Sequence, residues 1–317
     1  MTTTRPHSTI ALTYSALLFY PPFYFIRSFM SDTHCNKSTN KTPAPAAIRA
    51  YLGGSFDPVH GGHLQMAMQV YNALLPIASE QQRELQVSLL PNARSPFKTH
   101  STDPEHRLAM LKLAIQHTPL QISEVELWQT PPVYSIDSVR TLRQSYPNDS
   151  LIFIMGMDSA SSLAQWKEGL QLTDYVNLWV FNRLSIAEHS ITQNSTALHS
   201  QLPTQLQSLI TDSLIKLVTP ASQNLLDSTV LKSANQGRIY IDSHPISAVS
   251  STQIRQQLQQ TKNRLHIIPI AETQITSVPP INDIISHTES NPLAKWLNPA
   301  VYQYIIAHQL YSVAQFR

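Results

Sequence analysis

Gly53-Gly54-Ser55-Phe56-Asp57-Pro58-Val59-His60-Gly61-Gly62-His63-Leu64 is the stretch on which the reading of this chain turns. It holds four of the seven glycines in a sequence of 317 residues. Glycine loses more backbone freedom on folding than any other residue. A chain this sparing with it places it where the backbone must approach something closely or take a positive φ. Ahead of the stretch, Ile48 to Leu52 reads as a short buried strand. Behind it, Leu64, Ala67, Met68, Tyr71 and Leu75 have the spacing of an amphipathic helix over residues 63–75. A strand that feeds a glycine-rich turn into a helix suits a phosphate, because the loop exposes backbone N–H groups and the positive end of the helix dipole faces the anion. The spacing is neither G-x-G-x-x-G nor that of the P-loop, and no Lys-Ser/Thr follows. What it adds is His60 and His63, close in space at the helix entry, where imidazoles can donate hydrogen bonds to phosphate oxygens and to charge that develops during transfer. Two other readings of the same residues stand beside this one. One is a tight turn with histidines at its surface. The other is a metal pair, but zinc helices place histidines at i and i+4 with a nearby carboxylate, and no acidic residue lies between Pro58 and Ser79.

Outward from the loop the pattern stays regular. Leu85 to Leu90 reads as a strand ended by Pro91-Asn92. Glu105 to Gln116 reads as a helix with Asp103 as its N-cap and Pro104 at its first position. Gln121 to Leu127 has the character of a strand and Ser135 to Gln144 that of a helix. Leu151 to Met155 and Asn177 to Phe181 are continuous apolar runs, as in strands buried inside a parallel sheet. Residues 185–233 are rich in Ser, Gln and Leu and read as one or two surface helices. Arg238 to Asp242 is a strand, Ser251 to Gln259 a helix capped by Ser250 or Ser251, and residues 262–290 an insertion with no clear element. Trp296 to Leu310 closes the chain as an amphipathic helix. Strands alternating with helices predict an α/β fold, a Rossmann-like doubly wound parallel sheet with helices on both faces, as a single catalytic domain over residues 48–317.

Composition narrows the partners. The formal net charge of +2 supplies no general field for nucleic acid, so any polyanion site has to be a local cluster. The single cysteine, Cys35, excludes an internal disulfide and a multi-cysteine zinc site, and fits a reducing compartment. Residues 8–26 (STIALTYSALLFYPPFYFI) are apolar, but Pro21-Pro22 interrupts them where a spanning helix wants about 20 apolar residues. Met30 then opens a polar segment with the composition of a disordered leader. The preferred reading is a natural start at Met30, with residues 1–47 an extension outside the domain and no membrane attachment; a membrane anchor over residues 8–26 is the alternative.

With its flanking elements, GGSFDPVHGGHL resembles the G-x-F-D-P-x-H-x-G-H signature of the adenylyl- and cytidylyltransferase superfamily, which also includes class I aminoacyl-tRNA synthetases. Val249 to Arg255 (VSSTQIR) resembles that family's I-S-S-T-x-I-R. Hydroxyls and free N–H groups at a helix start suit phosphate, and Arg255, one turn in, can bridge β- and γ-phosphates with its planar fork. Three more stretches resemble the nicotinate-nucleotide adenylyltransferases in particular. Pro91 to Lys98 (PNARSPFK) is similar to P-N-x-x-P-P-H-K, with Ser95 for the first proline and Phe97 for the histidine. Pro132 to Ser138 (PVYSIDS) is similar to P-S-Y-T-x-D-T, with serine twice for threonine. Ile154 to Asp158 (IMGMD), followed by Trp166, is similar to I-I-G-x-D with a tryptophan ten residues after the glycine. The resemblance covers most of residues 48–260 and the final helix; the extension and residues 262–290 lie outside it.

The resemblance implies adenylyl transfer from ATP to nicotinate mononucleotide, in the cytoplasm, with Mg²⁺ arriving on the ATP and no resident metal. It implies His60, His63, Lys98 and Arg255 as catalytic residues. It implies Gly53, Gly54, Ser55, Phe56, Gly62, Gly156, Asp158, Ser250, Ser251 and Thr252 at the ATP, and Tyr134, Ser135, Trp166 and Arg183 at the mononucleotide, with Trp166 stacked on the pyridine ring. Taken from the residues alone, Trp166 is by default a core aromatic, Asp158 is equally a helix cap, and Asp57 a residue that shapes the turn before Pro58. Two rivals remain: another enzyme of the superfamily, which would keep the H-x-G-H loop without the Tyr134 and Trp166 motifs, and a membrane-tethered nucleotide-binding regulator, which would need residues 8–26. Association into a homo-oligomer is left open by the sequence.

Overall fold

The runs Leu151 to Met155 and Leu178 to Phe181 are apolar on both sides, and the reason is a sheet covered on both faces. A computed structural model of the chain describes residues 45–94, 101–182, 195–219, 236–266, 293 and 295–311. These belong to the unit Ala44–Arg317. The expected extension, except for Pro45 to Ala47, lies outside the described residues, as do Lys98 and Arg183. Six strands form one parallel sheet: β1 (Ile48–Gly54), β2 (Leu85–Pro91), β3 (Gln121–Ile122), β4 (Ser150–Gly156), β5 (Asn177–Phe181) and β6 (Ile239–Asp242). Their order is β3-β2-β1-β4-β5-β6, the doubly wound order in which the chain reverses direction across the sheet between β1 and β4. Ile48 pairs with Leu85 of β2 on one side and with Ser150 of β4 on the other.

Side chains alternate faces along a strand, and here both faces meet helices. Ala50 and Leu52 of β1 with Ile152 and Ile154 of β4 pack on α1 (Gly61–Glu80), α2 (Pro104–Ile115), α8 (Ser251–His266) and the closing α9 (Pro299–Ala307). Tyr51, Leu151, Phe153 and Met155 point the other way, onto α3 (Ser135–Ser145) and the segment from Leu163 to Leu172. The predicted Rossmann-like sheet with helices on both faces is therefore present, and the apolar runs at Leu151 to Met155 and Asn177 to Phe181 follow from double burial. Among the described residues no helix is long and apolar enough to cross a membrane.

Some boundaries move, with physical causes. The strand expected over residues 121–127 keeps only Gln121–Ile122. After one further bond from the Ser123 N–H to the Leu89 carbonyl, the chain turns at Glu124–Leu127 and carries Glu126 inward. Residues 195–219 hold three short helices, α5 (Ser195–His199), α6 (Thr204–Gln207) and α7 (Leu214–Val218). They are not simply a surface layer, since Leu202, Leu206 and Leu217 are buried. The helix opening at Ser251 continues to His266, so residues 262–266 belong to α8; residues 267–290 of the expected insertion lie outside the described residues. The last helix starts at Pro299, not Trp296, because the Asn298 side chain caps it, accepting from the Ala300 N–H at 2.9 Å.

Candidate active site

In open parallel sheets the crevice lies beyond the carboxyl ends of the strands, where the winding reverses. Here those ends are Gly54 of β1 and Gly156 of β4. Between them lies a cavity of about 430 Å³, walled by Gly53, Gly54, Ser55 and His63 from the first loop and by Gly156 and Asp158 from the end of β4. Its far side is Ser135 and Trp166.

The glycines of the loop serve close approach; among the described residues no glycine has a positive φ. A Cβ on Gly53 would stand 2.6 Å from the Phe153 ring, and one on Gly62 would stand 3.1 Å from the Ser247 carbonyl and 3.2 Å from the His60 ring. The left-handed position falls instead to Phe56, at φ 48°. Phe56 is buried and lies edge-on to the His63 ring at 4.9 Å. The bond between Asp57 and Pro58 is cis, and His60 then caps α1 with extended backbone.

The two histidines are stacked, with centroids 3.7 Å apart, but they are not equivalent. His60 is only 2% exposed and lies beneath His63, which faces the cavity. The His60 backbone N–H donates to Nδ1 of His63 at 3.3 Å. That bond leaves the proton of the neutral ring on Nε2.

α8 is attached to this loop. Ser250 forms a reciprocal cap with Gln253: its Oγ accepts from the Gln253 N–H at 3.2 Å, and the Gln253 side-chain oxygen accepts from the Ser250 N–H at 2.9 Å. The Ser251 hydroxyl donates to the Pro58 carbonyl at 2.9 Å. Arg255 donates to the Asp57 carbonyl at 2.6 Å and to Thr252 Oγ1 at 3.2 Å. The second motif thus converges on the first loop, as expected. Yet the Ser251 hydroxyl and one edge of the Arg255 fork are engaged in holding the two motifs together, and the Ser250 hydroxyl is engaged in capping α8.

On the mononucleotide side, Trp166 is half-buried, packed on the core cluster and also in the cavity wall, so it is more than a core aromatic. Ser135 opens α3, whose first amides have no partner in the preceding turn of the helix; Tyr134 is its N-cap residue, under Lys167 Nζ at 4.6 Å from the ring centroid. Asp158 is not the cap of its helix. Gly156 holds that position for α4 (Met157–Ser161), and Asp158 is exposed in its first turn.

Two residues of the site, Arg107 and Glu126, carried no motif. Arg107 is 0% exposed, and its guanidinium donates to the carbonyls of Ser55 (2.9 Å), Asn92 (2.7 Å), Ala93 (2.6 Å) and Thr102 (2.9 Å). It pins the glycine loop to the stretch leaving β2. Glu126, in the cavity wall, is raised above the ordinary carboxyl range by burial, against a hydrogen bond with Ser138 that pulls the other way. Asp57, 2% exposed, accepts from the Thr102 N–H at 3.2 Å and from the Tyr311 hydroxyl at 2.7 Å. Among the described residues no three His, Cys, Asp or Glu side chains cluster as a metal site would require.

This arrangement defines a nucleotide-binding α/β transferase, and the cytidylyltransferase-like family model matches residues 51–257. A probable nicotinate-nucleotide adenylyltransferase of Idiomarina loihiensis is 32% identical over 223 residues, 69% of this chain and 91% of that one. One from Pseudoalteromonas atlantica is 30% identical over 82% of this chain and 93% of its own length. The nicotinate-nucleotide adenylyltransferase of Bacillus subtilis is 41% identical over 134 residues, 41% of this chain and 65% of its own. The fold is also that of the Plasmodium falciparum nicotinic acid mononucleotide adenylyltransferase complexed with NaAD, with a TM-score of 0.50 at 17% identity over 84% of this chain and 97% of that one. The chain belongs to the cytidylyltransferase-like family and, within it, to the nicotinate-nucleotide adenylyltransferases.

Proposed function

We propose that the protein transfers the adenylyl group of ATP to nicotinate mononucleotide, yielding nicotinate adenine dinucleotide and pyrophosphate, a step of NAD biosynthesis carried out in the cytoplasm. The observation that carries this reading is one cavity that joins the H-x-G-H loop at the sheet's reversal to Ser135 and Trp166 on its far wall.

The mononucleotide's 5′-phosphate oxygen bonds to the α-phosphorus of ATP while the bond to the bridging oxygen of pyrophosphate breaks in line. The attacking oxygen is already anionic at neutral pH, so the protein needs no general base and no covalent intermediate. Its work is positioning and charge neutralisation. His63 donates from Nε2 to the transferring phosphoryl group, and His60 supports the ring from below. Arg255, held on the Asp57 carbonyl, turns its remaining N–H groups to the β- and γ-phosphates. Of the two carboxylates in the cavity wall, Asp158 and Glu126, Asp158 is the exposed one. One exposed carboxylate fits Mg²⁺ that arrives chelated by triphosphate, since Mg²⁺ takes one or two protein carboxylates beside phosphate oxygens. When bound, the ion offsets triphosphate charge.

Trp166 stacks on the pyridine ring, and the first amides of α3 point at its carboxylate. An amide in place of that carboxylate would set NH₂ against N–H, and mispaired buried polar groups cost about 1–3 kcal/mol each. Discrimination for the acid on the order of 10²-fold or more follows. Pyrophosphate release with nicotinate mononucleotide, its amide and other phosphorylated acceptors tests the reading through kcat/KM. Equal use of acid and amide would refute the substrate assignment, and no turnover with either would refute the activity.

A further inference from the structure

The C-terminal segment touches the nucleotide loop at two points. The Gly61 N–H, one of the first amides of α1 and therefore without a partner inside the helix, donates to the Trp296 carbonyl at 2.7 Å. Fifteen residues later the Tyr311 hydroxyl donates to Asp57 Oδ1 at 2.7 Å. Tyr311 is 0% exposed and has φ 61°. An aromatic residue in the left-handed region is held there only when its surroundings over-determine it. At the other end of the bond, Phe56 at φ 48° precedes Asp57.

Asp57 and Pro58 are pulled from several directions. The carboxylate of Asp57 accepts from Tyr311 and from the Thr102 N–H. The carbonyl of Asp57 accepts from Arg255, and that of Pro58 from Ser251. The end of the chain and the start of α8 therefore meet through one turn.

We propose that Tyr311 is a positioning residue for ATP: through Asp57 it fixes the turn whose carbonyls orient Arg255 and Ser251. The proposal rests on the adenylyl-transfer reading for its kinetic consequence. Burial, reinforced by the Asp57 carboxylate, pushes the tyrosine hydroxyl well above its ordinary range, so it remains a donor. No covalent step involves it.

Tyr311→Phe removes the donor and keeps the ring. The full chain carrying it is compared with wild type by amide hydrogen exchange and by steady-state kinetics. Exchange should quicken in peptides covering residues 53–63 and 250–256, and KM for ATP should rise roughly tenfold, the scale of one lost hydrogen bond to a charged group, with a smaller change in kcat. In an Arg255→Ala background the same change should add little to KM, because the group it orients is gone. Asp57→Asn, which weakens the bond from its other side, should reproduce the exchange pattern. Unaltered exchange in those peptides overturns the proposal whether or not the enzyme turns over ATP. So does a Tyr311→Phe penalty that is equal in both backgrounds. An inactive wild type would count against the proposed reaction, while the exchange comparison would still decide the role of Tyr311.

Discussion

His63 and His60 are alike in sequence and different in situation. A neutral imidazole has one proton, and the bond from the His60 N–H to Nδ1 assigns that proton to Nε2 of His63. A donor aimed at developing charge contributes to turnover more than to ground-state binding. His63→Ala is therefore expected to lower kcat by about 10² to 10³ while changing ATP affinity much less. Single-turnover rates set against ATP binding by calorimetry check this, and a near-normal rate would remove His63 from the chemistry. His60, buried beneath it, was legible from the H-x-G-H spacing as a partner in space. That it supports the site without facing the cavity was not legible, because spacing on a helix start says which residues are near and not which one is uppermost.

At the scale of elements, the loop after β1 is held by attachments that no motif announces. Arg107 extends from α2 to four carbonyls, two of them on Asn92 and Ala93 just beyond β2. Burial opposes its charge, lowering its pKa, yet the site stands because its donors are matched by carbonyl oxygens. Arg107→Met keeps the stem and removes the donors. With several buried carbonyls left unpaired it should cost on the order of 3 kcal/mol or more, read as a lower denaturant midpoint. ATP affinity should weaken with it, because the Ser55 carbonyl is released. A midpoint within experimental error of wild type would show that water satisfies those carbonyls. At the start of α8, by contrast, the sequence offered Ser250 or Ser251 as the cap, and Ser250 takes it with Gln253, since a capping box is a contact among near neighbours in the chain.

For the molecule as a whole, the buried carboxyl of Glu126 links stability to pH. Burial raises it above its ordinary value of 4.5. Between the unfolded and folded values the native state binds the proton more tightly, so stability is full at low pH and falls as pH rises through that window. Glu126→Gln, which cannot ionise, should flatten that part of the profile and gain relative to wild type toward neutral pH. Thermal midpoints of both proteins from about pH 4 to about pH 7 test the sign. Parallel profiles would mean that Glu126 is ionised alike in both states.

Sequence patterns carried the parallel sheet, the starts of α2, α3 and α8, and the place of the nucleotide loop. Apolar runs, glycine placement and caps act over a few residues and carry their physics locally. The resemblance placed both motifs at the ATP, and each reads as an anion-binding helix start. What joins them emerged from the tertiary packing alone. Asp57 and Tyr311 are 254 residues apart in sequence, and Arg107 reaches back 52 residues to Ser55. Such pairings leave no periodicity in the chain. A buried donor takes whichever acceptor the packing brings to it, and packing is settled only when the whole sheet and its helices have closed.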